Sequence, residues 1–470
     1  MMKPAFLLAA VLALFGCATT GSQSASNSTA AQERDTVSAF DPDPFPSTYR
    51  PYPGRPTVIQ GATIYDGEGG RIDNGMVYFA DGRIQAVAQT LEVPAGATVV
   101  DGTGLWVTPG IIDIHSHLGN YPTPSVAAHQ DGNEITGNNT ANVWTEHSVW
   151  PQDPGFSRAL ANGGVTTLNI LPGSANLFGG RSVTLRNVPA RTMQAMKFPD
   201  APYGLKMACG ENPKRVYGGR NQTPGSRMAN IAVARQAWID AQRYQRQWEN
   251  YRENGGTPPA RNLRHETLAG VMAGEILVHN HCYRADEMAI MMDMAEEFGY
   301  SISTFQHAVE AYKIPDLLRE NGVCSAMWAD WWGFKMEAYD TVNENIPMVH
   351  NGGACAIVHS DDENQIQRLN QEAAKALADG RRAGIDISDA EAWQWLSINP
   401  ARALGIDDQT GSLVNGKRAD LVLWNGDPFS VYTRPQMVWI DGALLYDMNN
   451  PELRPISDFE LGQPSEGSVR

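Results

Sequence analysis

Histidine is scarce in this chain, ten residues in 470, and cysteine scarcer still, with five. Four of the cysteines, Cys209, Cys282, Cys324 and Cys355, sit singly in apolar, strand-like runs with no close CxxC spacing. That excludes a zinc-ribbon pattern and a small disulfide scaffold, and the four read as buried free thiols. Basic residues are in deficit, 36 Lys and Arg against 52 Asp and Glu, for a formal charge of -16. Such a surface repels phosphate backbones, so nucleic acid is not the expected partner. Long apolar runs are also missing. The run from Ala5 to Phe15 is too short to span a bilayer as a helix.

That run follows Lys3 and ends at Gly16-Cys17, the pattern of a signal peptide's apolar segment. Leu14-Phe15-Gly16-Cys17 resembles a bacterial lipobox, which makes residues 1–16 a lipoprotein signal peptide and Cys17 the lipidated first residue. Ordinary cleavage with an unmodified Cys17 is the alternative. Ala18, where an aspartate would signal retention, points to the periplasmic face of an outer membrane. Residues 17–56 are rich in Ser, Thr, Ala, Gln, Asp and Pro, and read as a flexible tether.

Two distant segments share one grammar. Residues 57–89 and 420–447 are short alternating runs broken by Asp-Gly and Gly-Gly turns, which predicts antiparallel hairpins. Between them, apolar runs alternate with helical stretches: 111–117, 165–171, 203–209, 276–282, 301–307, 323–327 and 355–359. This α/β alternation predicts a parallel (β/α)8 TIM barrel over 111–405, with segments 57–110 and 406–470 joining in a small composite β-sandwich. Residues 212–263 form a helical insertion, with one long helix from Met228 towards Asn254.

In a barrel of this kind catalytic groups stand at the C-terminal strand ends, and there the few histidines gather. "VTPGIIDIHSHLG" puts His115 and His117 two apart, on one face of a strand. His279 and His281 end a later run, His307 the next, and Asp361 the last. Each alone reads equally well as a hydrogen-bonded structural residue or, for Asp361, a helix cap. Their recurrence at the same end of successive strands suggests one site.

"TPGIIDIHSH" and "LSINPARALGIDDQTGSLVNGKRADLVLWNGDP" resemble the first-strand signature and the barrel exit of the amidohydrolase superfamily. "PGSANLFGGRS" and "KMACGENPKRVYG" resemble a bacterial branch related to imidazolonepropionases and Xaa-Pro dipeptidases. The resemblance implies His115 and His117 as ligands of a more buried metal and His281 and His307 as ligands of a second. It implies Asp361 as a ligand and the general base, and His279 as an outer residue orienting a ligand. Gln306 stands where relatives often have glutamate. Lys206, in an apolar strand, resembles the urease lysine that reacts with carbon dioxide to give a bridging carbamate, and Glu211 is the rival bridge.

Imidazole and carboxylate ligands suit zinc, with manganese, iron or cobalt as alternatives. Two ions sharing a hydroxide would open the amide of a dipeptide or N-acyl amino acid. A cyclic amidine deaminase or cyclic amide hydrolase, often mononuclear, is a second reading, and a catalytically silent binding or assembly subunit a third. The expected partners are a small-molecule amide and a membrane lipid anchor, with a homo-oligomer left open. Trp238, Tyr244, Trp248 and Tyr251 are expected to pack the long helix onto the barrel. Arg181, Lys214, Arg215 and Arg220 are expected on loops after early strands, where surface solvation is the default for each and one could bind a substrate carboxylate.

Overall fold

Strands β1 (Thr57–Tyr65), β2 (Arg71–Ala80), β3 (Arg83–Ala88), β4 (Thr98–Asp101) and β5 (Trp106–Pro109) come from the first hairpin-rich segment. They appear in a computed structural model that describes residues 41–454. Residues 1–16, Cys17 and the tail beyond 454 lie outside the described residues, and with them the expected anchor. Among the described residues no helix is long and apolar enough to cross a membrane.

After the barrel, β14 (Leu421–Trp424), β15 (Pro435–Ile440) and β16 (Ala443–Asp447) return to the first sheet. Strand β14 pairs antiparallel with β5, Leu421 opposite Pro109 and Trp424 opposite Trp106, so both ends of the chain build one sheet in the order β16-β15-β14-β5-β1-β2-β3, with β4 beside β1. Ile59, Phe79, Ile84, Leu423 and Trp439 share one core, and Phe79 meets Trp439 edge-on at 5.7 Å. The sheet therefore folds over its own apolar face as a small sandwich.

The barrel strands are β6 (Ile111–Ser116), β7 (Val165–Ile170), β8 (Phe178–Arg186), β9 (Gly204–Ala208), β10 (Leu277–Cys282), β11 (Thr304–His307), β12 (Cys324–Met327) and β13 (Cys355–Val358), neighbours in that order. One departs from the expectation of an all-parallel barrel. Strand β8 is absent from the run of expected strands and lies antiparallel to both β7 and β9. Only residues 171–177 separate it from β7, far fewer than a parallel crossover needs. All nine of its residues are buried, so its sequence offers no alternation to read.

Between β13 and β6 the barrel is closed by single bonds. The Asp361 amide donates to the His115 carbonyl at 3.0 Å, and the Ser360 amide donates to Asp113 Oδ1 at 3.2 Å. The Ser360 hydroxyl also donates to Asp113. Burial pushes the Asp113 carboxyl up to about 7, although Ser360 and the His115 amide pull the other way.

Two further expectations are corrected. The four barrel cysteines are not free thiols: they form disulfides Cys209–Cys282, with Cα atoms 5.3 Å apart, and Cys324–Cys355, at 4.5 Å. Lateral strand pairing brings them together across 73 and 31 residues, Cys324 being the direct register partner of Cys355. A search for nearby pairs along the sequence cannot see this. The tether is also shorter than 17–56. Asp43 takes bonds from Lys197 at 2.6 Å and Tyr203 at 2.8 Å, Phe45 meets Trp144 edge-on, and Tyr52 is buried in the main core.

The insertion begins with a helix at Glu211–Gly218 and continues as the long helix Arg227–Asn254, whose Ser226 cap accepts from the Ala229 amide. Trp238 stacks on Tyr300 at 4.4 Å and Tyr244 is buried, so these two aromatics serve packing. Trp248 and Tyr251 continue the stripe, each ring edge-on to the one before. Arg181 lies not on a loop but inside β8, buried, its guanidinium 4.0 Å over Trp144 and bonded to Thr267 and the Pro42 carbonyl. Lys214 and Arg215 are on the 211–218 helix, and Arg220 donates to the Ile135 carbonyl just beyond it.

Candidate metal centre

Strand β5 of the small sheet passes through Gly110 alone into β6 of the barrel, which carries His115 and His117 to its C-terminal end. Their Nε2 atoms converge on one oxygen, Asp361 Oδ1, at 3.1 and 3.0 Å. The Nδ1 atoms are held from behind, His115 by the Gln306 carbonyl at 3.0 Å and His117 by the Leu171 carbonyl at 2.9 Å. These carbonyls require a proton on Nδ1 and leave each Nε2 lone pair facing the centre. Gln306 thus fixes the His115 ring without adding a charge.

Asp361 presents its other oxygen, Oδ2, to His307 Nδ1 at 3.8 Å. Two overlapping sets result, His115–His117–Asp361 and His115–His307–His359, each with ligand atoms within 4.8 Å of one another. His359 was not anticipated. It follows β13 two residues before Asp361, a spacing that repeats the His115–His117 signal and was legible in principle. His281 is outside both sets but its ring lies 4.6 Å from that of His307. Lys206 Nζ is 3.3 Å from His115 Nε2, so the expected lysine is inside the centre. His279 is its register partner on β10, also outside both sets, and packs so closely on Gly204 that a Cβ there would lie 2.4 Å from the ring.

Glu211 is placed differently. It opens the 211–218 helix, its amide donating to Glu337 at 3.0 Å, and belongs to neither set. Its field is felt by Lys335 and Tyr283 at the mouth of the barrel.

Burial holds these imidazoles neutral. It pulls His115 down to about 4 and His279 to about 3, with Lys206 adding to both, and takes His281, His307 and His359 well below the usual histidine range. Burial also pulls Lys206 down, to about 7. Asp361 is anionic: burial opposes its charge, but the surrounding histidines, His115 first, hold it well below the usual carboxylate range. Both nitrogens of His281 and His359 and Nδ1 of His307 are buried with no hydrogen-bond partner. Unpaired buried polar atoms are costly, and a divalent cation satisfies neutral imidazoles and a carboxylate together. The donor set therefore fits a metal.

The backbone is strained at the same place. His307, at φ 73°, and Asp361, at φ 56°, are non-glycine residues in the left-handed region, conformations costing about 1–3 kcal/mol each.

The family profile described as "Amidohydrolase family" matches residues 265–445. The solved structure of an amidohydrolase from Thermotoga maritima MSB8 is 32% identical, with a TM-score of 0.77, over 83% of this chain and all of that one. "Amidohydrolase tasK" of Hapsidospora irregularis is 30% identical over 86% of this chain, which spans 45% of that relative's length. An imidazolonepropionase of Shewanella oneidensis is 26% identical over 76% of this chain and 88% of its own.

Proposed function

The chain belongs to the amidohydrolase family, and from there we propose that it is a metal-dependent hydrolase cleaving a C–N amide bond of a dipeptide or N-acyl amino acid. The observation that carries this is the convergence of His115, His117, His307, His359 and Asp361 around Lys206, with imidazole nitrogens left unpaired. His115, His117 and Asp361 would hold one ion and His307, with His359 and the adjacent His281, a second, zinc being the expected metal. Such ions supply a hydroxide near neutral pH and polarise the carbonyl.

Asp361 then does the proton work. Its carboxylate takes the proton of the attacking water and returns it to the departing nitrogen, so acid and amine leave together, a contribution of typically ~10²–10⁴-fold. Gln306 and the Leu171 carbonyl keep His115 and His117 in the tautomer this needs. Lys206, buried among neutral imidazoles, is poised to attack carbon dioxide as the free amine, forming an N–C bond, releasing one proton and giving an anionic carbamate that would serve as the bridging ligand. The two disulfides suit an oxidising compartment, which supports a periplasmic enzyme anchored through Cys17.

Likeness to an imidazolonepropionase favours the cyclic amide hydrolase as second reading. Elemental analysis of reconstituted protein, with a library of dipeptides, N-acyl amino acids and cyclic amides, decides between them. Two ions and turnover of open-chain amides are expected. One ion with activity only on cyclic substrates moves the protein to the second reading, and neither metal nor turnover to a silent binding subunit. Lys206→Ala should lose metal and activity, with short carboxylic acids and bicarbonate restoring part of the rate.

A further inference from the structure

The segment from Trp328 to Tyr339 crosses the mouth of the barrel above His307 and is dominated by aromatic rings. Trp328 stacks on His307 at 4.4 Å and Trp331 on Trp328 at 5.0 Å, building a wall outward from the centre. Tyr283, from the strand end that carries His281, also stacks on His307, at 5.3 Å, and lies 6.3 Å from the Trp328 ring. Over the Tyr283 ring, 4.0 Å from its centroid, stands the ammonium of Lys335.

Lys335 is oriented by Asn212 Oδ1 at 3.2 Å and lies 5.5 Å over Phe334. Among the described residues no carboxylate pairs with it, although the segment's other buried charge, Glu337, is fully engaged by Arg227 and by the Glu211 amide. A half-buried cation held over a ring, one layer from His307, within the field of Glu211 and Glu337 but in direct contact with no carboxylate, is arranged to receive one. Its field reaches His281 and Lys206.

We infer that Lys335 binds the carboxylate of the substrate, with Trp331 and Phe334 flanking an apolar side chain next to it. This rests on the hydrolase reading above and deepens it: the enzyme would select acidic substrates, N-acyl amino acids or dipeptides with a free C-terminus, over their neutral amides. Lys335 is a specificity-determining residue, and none of the atoms that change bonds belongs to it.

The test reads binding apart from turnover. Tryptophan fluorescence, which Trp328 and Trp331 make sensitive to occupancy, is titrated on the full metal-loaded protein with N-acetylphenylalanine and with N-acetylphenylalaninamide. The acid should bind at least about tenfold more tightly, as expected for one charge-assisted contact. K335M should abolish the difference by weakening the acid alone, and K335R should keep most of it. Equal binding of acid and amide to the native protein overturns the inference. So does a K335M variant that weakens both ligands alike, which would make Lys335 structural, or one that retains the preference. If discrimination is found but neither compound is hydrolysed, Lys335 keeps its role and the proposed activity is what fails.

Discussion

At the junction of barrel and sheet, Arg186 at the end of β8 is fully buried with Asp420 and Asp441, and at the strand ends a half-buried Asp361 stands among five histidines and a lysine. The first group is closed. Arg186 donates to Asp420 Oδ2 at 2.7 Å and lies 3.2 Å from Asp441, Asp420 also accepts from Thr410 and the Asp441 amide, and Asp441 accepts from Tyr49 and Arg418. The carboxylate oxygens are spoken for, and within this group only Arg186 Nε is buried without a partner. The second group is open, with both nitrogens of His281 and His359 and Nδ1 of His307 left without a partner. Burial alone therefore does not mark function; a buried cluster that its own atoms cannot satisfy does.

Variants that touch one region and leave the other intact sharpen this contrast. Asp361→Asn should show the largest effect, a fall in turnover of about 10²–10⁴-fold, because an amide cannot accept the proton. Its stability should barely move, since asparagine tolerates the left-handed conformation at φ 56°. Kinetics on the metal-loaded protein beside urea unfolding separates the two quantities. A variant that unfolds more easily yet keeps its rate would break the contrast.

Arg186→Met is the converse. Removing one member of a buried ion network strands Asp420 and Asp441 and should cost about 3–5 kcal/mol of stability. The protein that remains folded should keep its metal content and turnover number. Loss below 1 kcal/mol in chemical denaturation, a small fraction of the ~3–5 expected, would mean that water repairs the junction.

The disulfides divide along the same line. Cys324–Cys355 joins the first residues of β12 and β13, at the end of the barrel away from the site, whereas Cys209–Cys282 joins strand ends and Cys282 follows His281 directly. Replacing either pair by alanine should cost about 2–4 kcal/mol through the freed unfolded chain. Only the Cys209/Cys282 variant should also lose metal, because His281 loses its brace. Equal metal content in both variants would remove His281 from the centre.

The contrast also explains what could be read from the sequence. Strand ends with a polar group after an apolar run are a local pattern, so His115, His117, His307 and Asp361 were legible, as were the barrel's seven parallel strands, while Lys206, in the middle of β9, was reached through its resemblance to the urease lysine. Antiparallel β8 was not, since its direction depends on a short connection and its burial is uniform. The disulfides depend on lateral pairing across dozens of residues. His359 was hidden by the more conspicuous Asp361, and Lys335 by lying on a loop that only the fold brings over Tyr283.

The smallest effect is expected at Glu211, the residue that competes with Lys206 for the bridge. It opens a helix, where a carboxylate gains about 0.3–1 kcal/mol from the dipole, and its Oε1 is buried without a hydrogen bond. Glu211→Gln removes the charge but keeps the shape, so metal content should be unchanged, turnover little altered, and stability lower by no more than about 1 kcal/mol. A lost carboxylate here also leaves Lys335 with one less anion nearby, which should tighten rather than weaken the binding of an acidic ligand. Elemental analysis and N-acetylphenylalanine titration on one preparation read both consequences. If Glu211→Gln instead loses metal and turnover together, the bridge passes from Lys206 to Glu211, and the open cluster extends beyond the strand ends to the first turn of the insertion.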